Sequence, residues 1–379
     1  MAKESITICD FTHTDWGSTN FVPYPIASIK SNVLHFSKYK NKLEIDIFKD
    51  PKKFIKAFLP KNPKLVGFSN YIWNAELSYD LAKEIKLRSP ETLVIFGGPN
   101  FPLDDKSREE WLRNHPSVDL YIIGEAEQPF TDIVDLWYET RSIEKVKDSG
   151  VMGCYSIKDN LFCKTGDFSP RVTKLDDIPS PYLEGYLDEF LNDPKLTPLL
   201  ESNRGCPFTC SFCHTGSDYY HKLNKFSSER VKEEIEYIGK RSGALHISNL
   251  HLADVNFGMY QQDKKVCEWL MESKKKYGWP LQVMATTGKN AKERIIAVTN
   301  VLDPGMINLN MSAQSMDHTV LKNIKRSNIK VSVMKEVNNE LRQKGRMTKS
   351  ELILPLPGET KESFIKGIDD LLDSNACFL

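Results

Sequence analysis

Short apolar runs alternate with stretches of helical periodicity along the whole chain, and this alternation restricts the fold more than any single residue does. In the first part the runs fall at 6–9, 43–48, 65–68, 93–96 and 120–123. Apolar strands each followed by a helical pattern predict an α/β domain, with a doubly wound parallel sheet and helices on both faces. After the third run, Leu77, Leu81 and Ile85 recur at four-residue spacing and predict a helix with one stripe toward the sheet. Pro179-Ser-Pro181 reads as a stiff polar linker, and a second alternating series follows it. Its strands are expected at 199–202, 244–248, 281–285, 306–311 and 351–354. Helices lie between them, such as 228–240 with Val231, Ile235 and Ile238 on one face. The 379 residues suffice for two cores. The expected division is 1–145 for the first domain, 146–190 for a hairpin and linker, and 191–379 for the second domain.

Totals exclude several classes of partner. With 51 basic against 51 acidic residues, no net field draws the chain to DNA or to an anionic membrane. No run of about 18 apolar residues predicts a membrane span. Eight cysteines without an apolar leader point to the reducing cytoplasm, where clustered thiols mean metal or catalysis rather than disulfides. Cys9, Cys267 and Cys377 read as scattered packing residues. Cys154 and Cys163 are expected on the two arms of a hairpin around Lys158-Asp-Asn160.

Three thiols stand out: Cys206, Cys210 and Cys213, in the run Arg204-Gly-Cys-Pro-Phe-Thr-Cys-Ser-Phe-Cys-His214. Iron-sulfur clusters are normally held by four thiolates, so a compact set of three suggests a cluster that keeps one iron for an outside ligand. Three other readings compete. Cys210-Ser-Phe-Cys213-His214 matches the c-type haem signal, but haem attachment belongs to exported proteins. A zinc site wants a fourth ligand, and His214 adjoins Cys213 too closely to close the same tetrahedron. Inert buried thiols are the third reading, set against three cysteines in eight residues beside Gly205 and Pro207.

The C-x3-C-x2-C run, with aromatic Phe212 before the last cysteine, resembles the radical S-adenosylmethionine (radical SAM) enzymes. That resemblance implies a [4Fe-4S] cluster on Cys206, Cys210 and Cys213, whose open iron chelates S-adenosylmethionine. It also implies an external electron donor of flavodoxin or ferredoxin type and a partial barrel of six β/α units, with the cluster loop after the first strand. Chemistry in barrels of parallel strands gathers at the carboxyl-terminal rim. The rim candidates are Asp254 and Asn256 in Leu252-Ala-Asp254-Val-Asn256-Phe-Gly258, a weak Thr286-Thr-Gly-Lys289-Asn290, Ser312 and Gln314, and Gly358 beside adenosine. Arg326, farther on, reads as a helix-face charge. The chain stops at Cys377-Phe-Leu379, where a sixth strand is expected to begin, as if the barrel were truncated.

In the first domain Val66-Gly-Phe-Ser69 and Val94-Ile-Phe-Gly-Gly98 are similar to the cobalamin-binding domain. There a serine and a glycine pair line the slot for the nucleotide tail. Gly124-Glu125-Ala-Glu127 and 175–182 resemble the cobalamin-binding branch of the radical SAM enzymes. Ser69, Asn70, Gly97, Gly98, Gly124 and Glu125 are therefore the expected corrin-side residues, at the strand ends where such sheets bind ligands. The family's Asp-x-His-x-x-Gly loop is not matched: the sequence here is Asp10-Phe-Thr-His13-Thr-Asp-Trp-Gly17, which leaves His13 a solvated or packing role. The resemblance implies methyl transfer to an unactivated carbon of a small or medium substrate. One S-adenosylmethionine methylates the corrinoid and a second yields the 5'-deoxyadenosyl radical. A radical rearrangement or cyclisation on the same cofactors is the nearest alternative, and a non-catalytic cluster or cobalamin sensor the one from another class. A methylthio-transferring enzyme would carry a second cysteine triad early in the chain, where only Cys9 precedes Cys154.

Overall fold

The computed structural model describes residues 3–12, 20–287, 292–307, 309–328 and 330–375. His13, the segment 288–290 and Cys377 lie outside the described residues. The chain divides into two compact units, Met1–Thr173 with Asp177–Phe190, and Lys174–Asp176 with Leu191–Leu379.

The first unit holds β1 (Glu4–Cys9), β2 (Leu43–Phe48), β3 (Leu65–Ser69), β4 (Leu93–Gly97), β5 (Leu120–Ile122), β6 (Cys154–Lys158) and β7 (Leu161–Thr165) in one sheet of order β2-β1-β3-β4-β5-β6-β7. The first five pair in parallel. The inner strands β3, β4 and β5 are short and apolar because they are buried on both faces, while the edge strand β2 alternates, with Glu44 exposed between Leu43 and Ile45. Strand order reverses between β1 and β3, which opens a crevice beyond their carboxyl ends. The hairpin of β6 and β7 extends this same sheet antiparallel from β5. Its turn residues Asp159 and Asn160 both have left-handed φ, 47° and 62°, as a two-residue hairpin turn demands.

One helix face differs from expectation. The helix Ala75–Arg88 buries Ser78, Ala82 and Ile85, while Leu77 is 39% exposed. Phe68 and Phe96 rise from the sheet into the same apolar cluster as Ala82 and Ile85. Bulky sheet residues leave room for small helix residues, so the buried stripe is turned by one position, and Leu81 packs at its margin.

The second unit is built on β8 (Leu199–Leu200), the short ribbon of β9 (Asn203–Arg204) with β10 (Asn224–Lys225), then β11 (Asn249–Phe257), β12 (Gln282–Thr287), β13 (Leu309–Asn310) and β14 (Thr348–Lys349). Its main sheet runs β8-β11-β12-β13-β14, all parallel and in chain order. Two expected strands are displaced. Residues 244–248 do not form a strand: the helix Ser228–Ala244 ends there, Leu245 and Ile247 donate back to Arg241 and Ser242 carbonyls, and His246 has φ 56°. The strand begins at Asn249, and its inward positions Leu250, Leu252, Asp254 and Asn256 are buried. Two polar residues on the inner face hide the period-two signal that marks a strand. The segment 351–354 likewise pairs only through a bridge from Gln314, at φ 68°, to Leu352.

Candidate functional site

In the second unit the cysteine loop follows β8 and opens from the ribbon. Two glycines let it close. Gly205 has φ 123°, and a Cβ there would stand 2.3 Å from the Lys222 carbonyl oxygen; one on Gly216 would stand 2.1 Å from that of Cys210. The loop is then pinned by its own backbone: Cys206 N–H donates to Tyr220 O at 2.8 Å, and Cys213 N–H to Cys210 O at 3.1 Å.

The three thiols are free and differ in setting: Cys206 and Cys210 are buried and Cys213 is exposed. Asn256 Nδ2 approaches Cys206 Sγ at 3.3 Å, Arg326 Nη1 approaches Cys210 Sγ at 3.8 Å, and Cys213 Sγ lies 3.2 Å from Thr215 Oγ1. Phe212 is half-exposed beneath the Arg326 guanidinium, 6.0 Å from it. Among the described residues no three Cys, His, Asp or Glu side chains converge on a single ion. A cubane does not need such convergence, since each thiolate takes a different iron. Three free thiols on one pinned loop, two of them faced by side-chain N–H donors, fit a cluster. His214, next in sequence, turns its Nε2 to within 3.0 Å of the Tyr220 hydroxyl, and burial lowers its pKa.

Asp254 braces the entry to this loop. Its carboxylate accepts from the Ser202 and Asn203 N–H groups at 2.8 and 3.1 Å and from the Ser202 hydroxyl at 2.5 Å. Burial nonetheless pushes its pKa up to about 6, ahead of the opposing Ser202 and Asn203 bonds. A carboxyl whose folded pKa exceeds its unfolded value costs stability once ionised. The cost is absent below the unfolded pKa and complete above about pH 6. The second unit is therefore expected to gain about 2–3 kcal/mol from this group between pH 7 and pH 4. Urea unfolding at both pH values should show that gain in the native chain relative to Asp254→Asn. An identical pH dependence in the two proteins would contradict it.

The remaining rim residues occupy neighbouring strand ends. Ser312 Oγ lies 2.8 Å from Asn310 Oδ1 and 2.9 Å from Glu351 Oε2. Gln314 pairs its backbone with Glu351 and Ile353. Gly358 has φ 85° and packs against Asn323, whose Nδ2 would be 2.7 Å from an added Cβ. Arg326, read from sequence as a helix-face charge, is not on a helix. It lies past the helix His318–Asn323, and its guanidinium turns in toward the cysteine loop, donating to the Ser312 and Ala313 carbonyls.

In the first unit the expected residues gather at the carboxyl ends of β3 and β4. Ser69 and Gly97 are direct partners across the two strands. Ser69 Oγ donates to Asp10 Oδ1 at 2.6 Å and accepts from Asn74 Nδ2 at 3.0 Å. Asp10 in turn pairs with Lys49 at 2.9 Å, both side chains buried. Asn70 reaches the Asn100 carbonyl and the Tyr121 hydroxyl, which donates to Gly98 O at 2.9 Å. Gly98, at φ 121°, lies so near that an added Cβ would be 2.8 Å from Asn70 O. The ends of β3 and β4, beside the switch point between β1 and β3, thus bring a hydroxyl, a side-chain amide and two glycines together where sheets of this kind bind ligands. Gly124 has φ 96°. The Glu125 carboxylate is committed within the unit, to Arg171 Nε at 2.6 Å and Val172 N–H at 2.7 Å. No helix among the described residues is long and apolar enough to cross a membrane.

The radical SAM superfamily model matches residues 200–371 and the B12 binding domain model residues 39–134. The cobalamin-dependent radical SAM methyltransferase TokK of Streptomyces tokunonensis is 32% identical over 319 residues, covering 82% of this chain and 45% of that protein. The 2-(S-pantetheinyl)-carbapenam-3-carboxylate methyltransferase of Streptantibioticus cattleyicolor is 30% identical over 324 residues, covering 83% of this chain and 45% of the relative. The chain thus spans about half the length of these relatives. The methyltransferase TsrM of Kitasatospora setae, solved with cobalamin and a [4Fe-4S] cluster, has a TM-score of 0.73 over 99% of this chain and 74% of its own, at 14% identity. The cobalamin-dependent enzyme OxsB has a TM-score of 0.67 over 97% of this chain and 52% of its own. At such identities the structural likeness speaks to the fold.

Proposed function

Since the chain belongs to the cobalamin-binding radical SAM proteins, we propose that it takes part in methyl transfer from S-adenosylmethionine to an unactivated carbon of a small or medium-sized molecule. The observation that carries this reading is the pairing of two built sites in one chain: the pinned loop of Cys206, Cys210 and Cys213, and the Ser69, Asn70, Gly97 and Gly98 crevice. When bound, the cluster and corrinoid supply reductive cleavage of S-adenosylmethionine to a carbon radical and a transferable methyl group.

The chain's own residues hold and orient. Cys206, Cys210 and Cys213 are the cluster ligands. Phe212, Ser312, Gln314, Asn256 and Gly358 line the seat of the nucleoside, and Asp254 fixes the strand from which the loop springs. Ser69 and Asn70 hold the β3 end through Asp10, Asn74, Asn100 and Tyr121, and Gly97 and Gly98 close the neighbouring end of β4 on the corrinoid side. Gly124 and Glu125 shape the neighbouring turn, Glu125 through its pair with Arg171. An external low-potential donor of the flavodoxin or ferredoxin type supplies electrons. The pantetheinyl carbapenam acid in the name of one relative makes a sulfur-bearing bicyclic acid of that class the first substrate to try.

With reductant, S-adenosylmethionine and such a substrate, the protein is expected to form S-adenosylhomocysteine and 5'-deoxyadenosine together, resolved by chromatography of the quenched reaction. Deoxyadenosine without S-adenosylhomocysteine would instead identify a radical rearrangement or cyclisation. Two more distant relatives are named as cyclases.

A further inference from the structure

We propose that Arg326 is the counter-charge of the iron-sulfur cluster and raises its reduction potential through the Cys210 thiolate. This rests on the cluster reading above. Arg326 follows the helix His318–Asn323, and no sequence pattern marks it as part of the site. Its guanidinium is held as a fixed fork: Nε donates to Ala313 O at 3.2 Å and to Asn328 Oδ1 at 3.0 Å, and Nη2 donates to Ser312 O. Asn328 is itself locked by the Ala313 and Ser315 carbonyls, each at 2.8 Å. Nη1 is left facing Cys210 Sγ at 3.8 Å.

Among the described residues the hydrogen bonds of Arg326 go to Ala313, Asn328, Ser312 and the Cys210 sulfur, and to no carboxylate. All its oxygen partners are neutral, and it is partly buried. A cation desolvated in this way ordinarily has an anion beside it. Among the described residues the negative charges that bear on it are those of Cys210, Cys213 and Cys206 once the thiols are ionised. The backbone supports this placement, because Ser211 N–H donates to Ile324 O at 3.1 Å and ties the cysteine loop to the turn that carries Arg326.

The direction of the effect follows from charge. One electron arrives from the external donor, no bond forms or breaks, and the thiolate-bound assembly becomes more negative. A fixed positive charge and an N–H donor at one sulfur stabilise that more negative state, so the potential is higher with Arg326 than without it. The residue thus acts as a positioning and tuning residue through Cys210, without touching the reacting carbon.

The test is an anaerobic redox titration of the reconstituted protein, followed by electron paramagnetic resonance without S-adenosylmethionine or substrate. The chains compared are native, Arg326→Ala, Arg326→Gln and Arg326→Lys, with iron and sulfide measured on each. The expected result is an unchanged cluster content with potentials shifted negative in R326A and R326Q, and R326K closest to native. If R326A does not hold iron, the comparison of R326Q with R326K decides, since only the second keeps the charge. Equal potentials in these variants and the native chain would overturn the proposal. A native chain that binds no cluster would instead overturn the reading on which it rests.

Discussion

Replacing Cys206, Cys210 and Cys213 together by alanine removes essentially all bound iron and all S-adenosylmethionine cleavage, and leaves corrinoid binding near the native level. The first half follows from the donor set. Asn256 and Arg326 each offer an N–H group to a thiol and nothing that would hold iron in its place. The second half follows from the division into units: the residues proposed for the corrin side lie within 69–125, in a unit with its own sheet and aromatic core. The loop is closed by backbone bonds and by Gly205 and Gly216 rather than by the sulfur atoms, so the triple variant keeps its fold. Absorbance of the anaerobic protein, iron content and circular dichroism check this. An iron-sulfur chromophore that survives the triple replacement would contradict the ligand assignment.

The complementary substitution is Gly98→Val, with the opposite pattern: corrinoid lost and iron retained. Gly98 has φ 121°, a region closed to β-branched side chains, and its missing Cβ is what allows the Asn70 carbonyl to approach. Valine there is expected to cost about 1–3 kcal/mol in backbone strain and to push the loop after β3 out of place. If that cost falls on the bound state, affinity for the corrinoid drops roughly 5- to 150-fold. Equilibrium dialysis against hydroxocobalamin measures it, with iron per chain as the control. Unchanged corrinoid affinity in G98V would remove Gly98 from the site.

The first unit was legible in the sequence because its inner strands are buried on both faces and appear as plain apolar runs such as Leu93 to Gly97, while in the edge strand β2 Leu43, Ile45 and Ile47 alternate with Glu44 and Asp46. Its helix faces were less so: Leu77 looks like a core residue, and only the bulk of Phe68 and Phe96 on the sheet shows why Ser78 and Ala82 face inward instead. In the second unit the strand Asn249–Phe257 was misplaced because its inner face carries Asp254 and Asn256, residues that local propensity assigns to turns. Those two residues are polar because they serve the cysteine loop, one bracing its entry and the other touching a thiol. The cysteines stand out in the sequence, since three thiols at close spacing have few structural uses. Arg326 was not, because its place beside Cys210 is set by a contact across 116 positions of chain that no periodicity encodes. Glu125 shows the converse: a motif glutamate whose carboxylate is taken up by Arg171, 46 positions away.

The most direct test of the account is the metal content of the chain purified without oxygen from a cobalamin-supplied host, with iron and cobalt read in one elemental analysis. The expected result is about four iron atoms and about one cobalt atom per chain, for one cubane and one corrinoid. Iron at that level with no cobalt would contradict the two-site reading, and the absence of both metals would contradict the functional assignment as a whole.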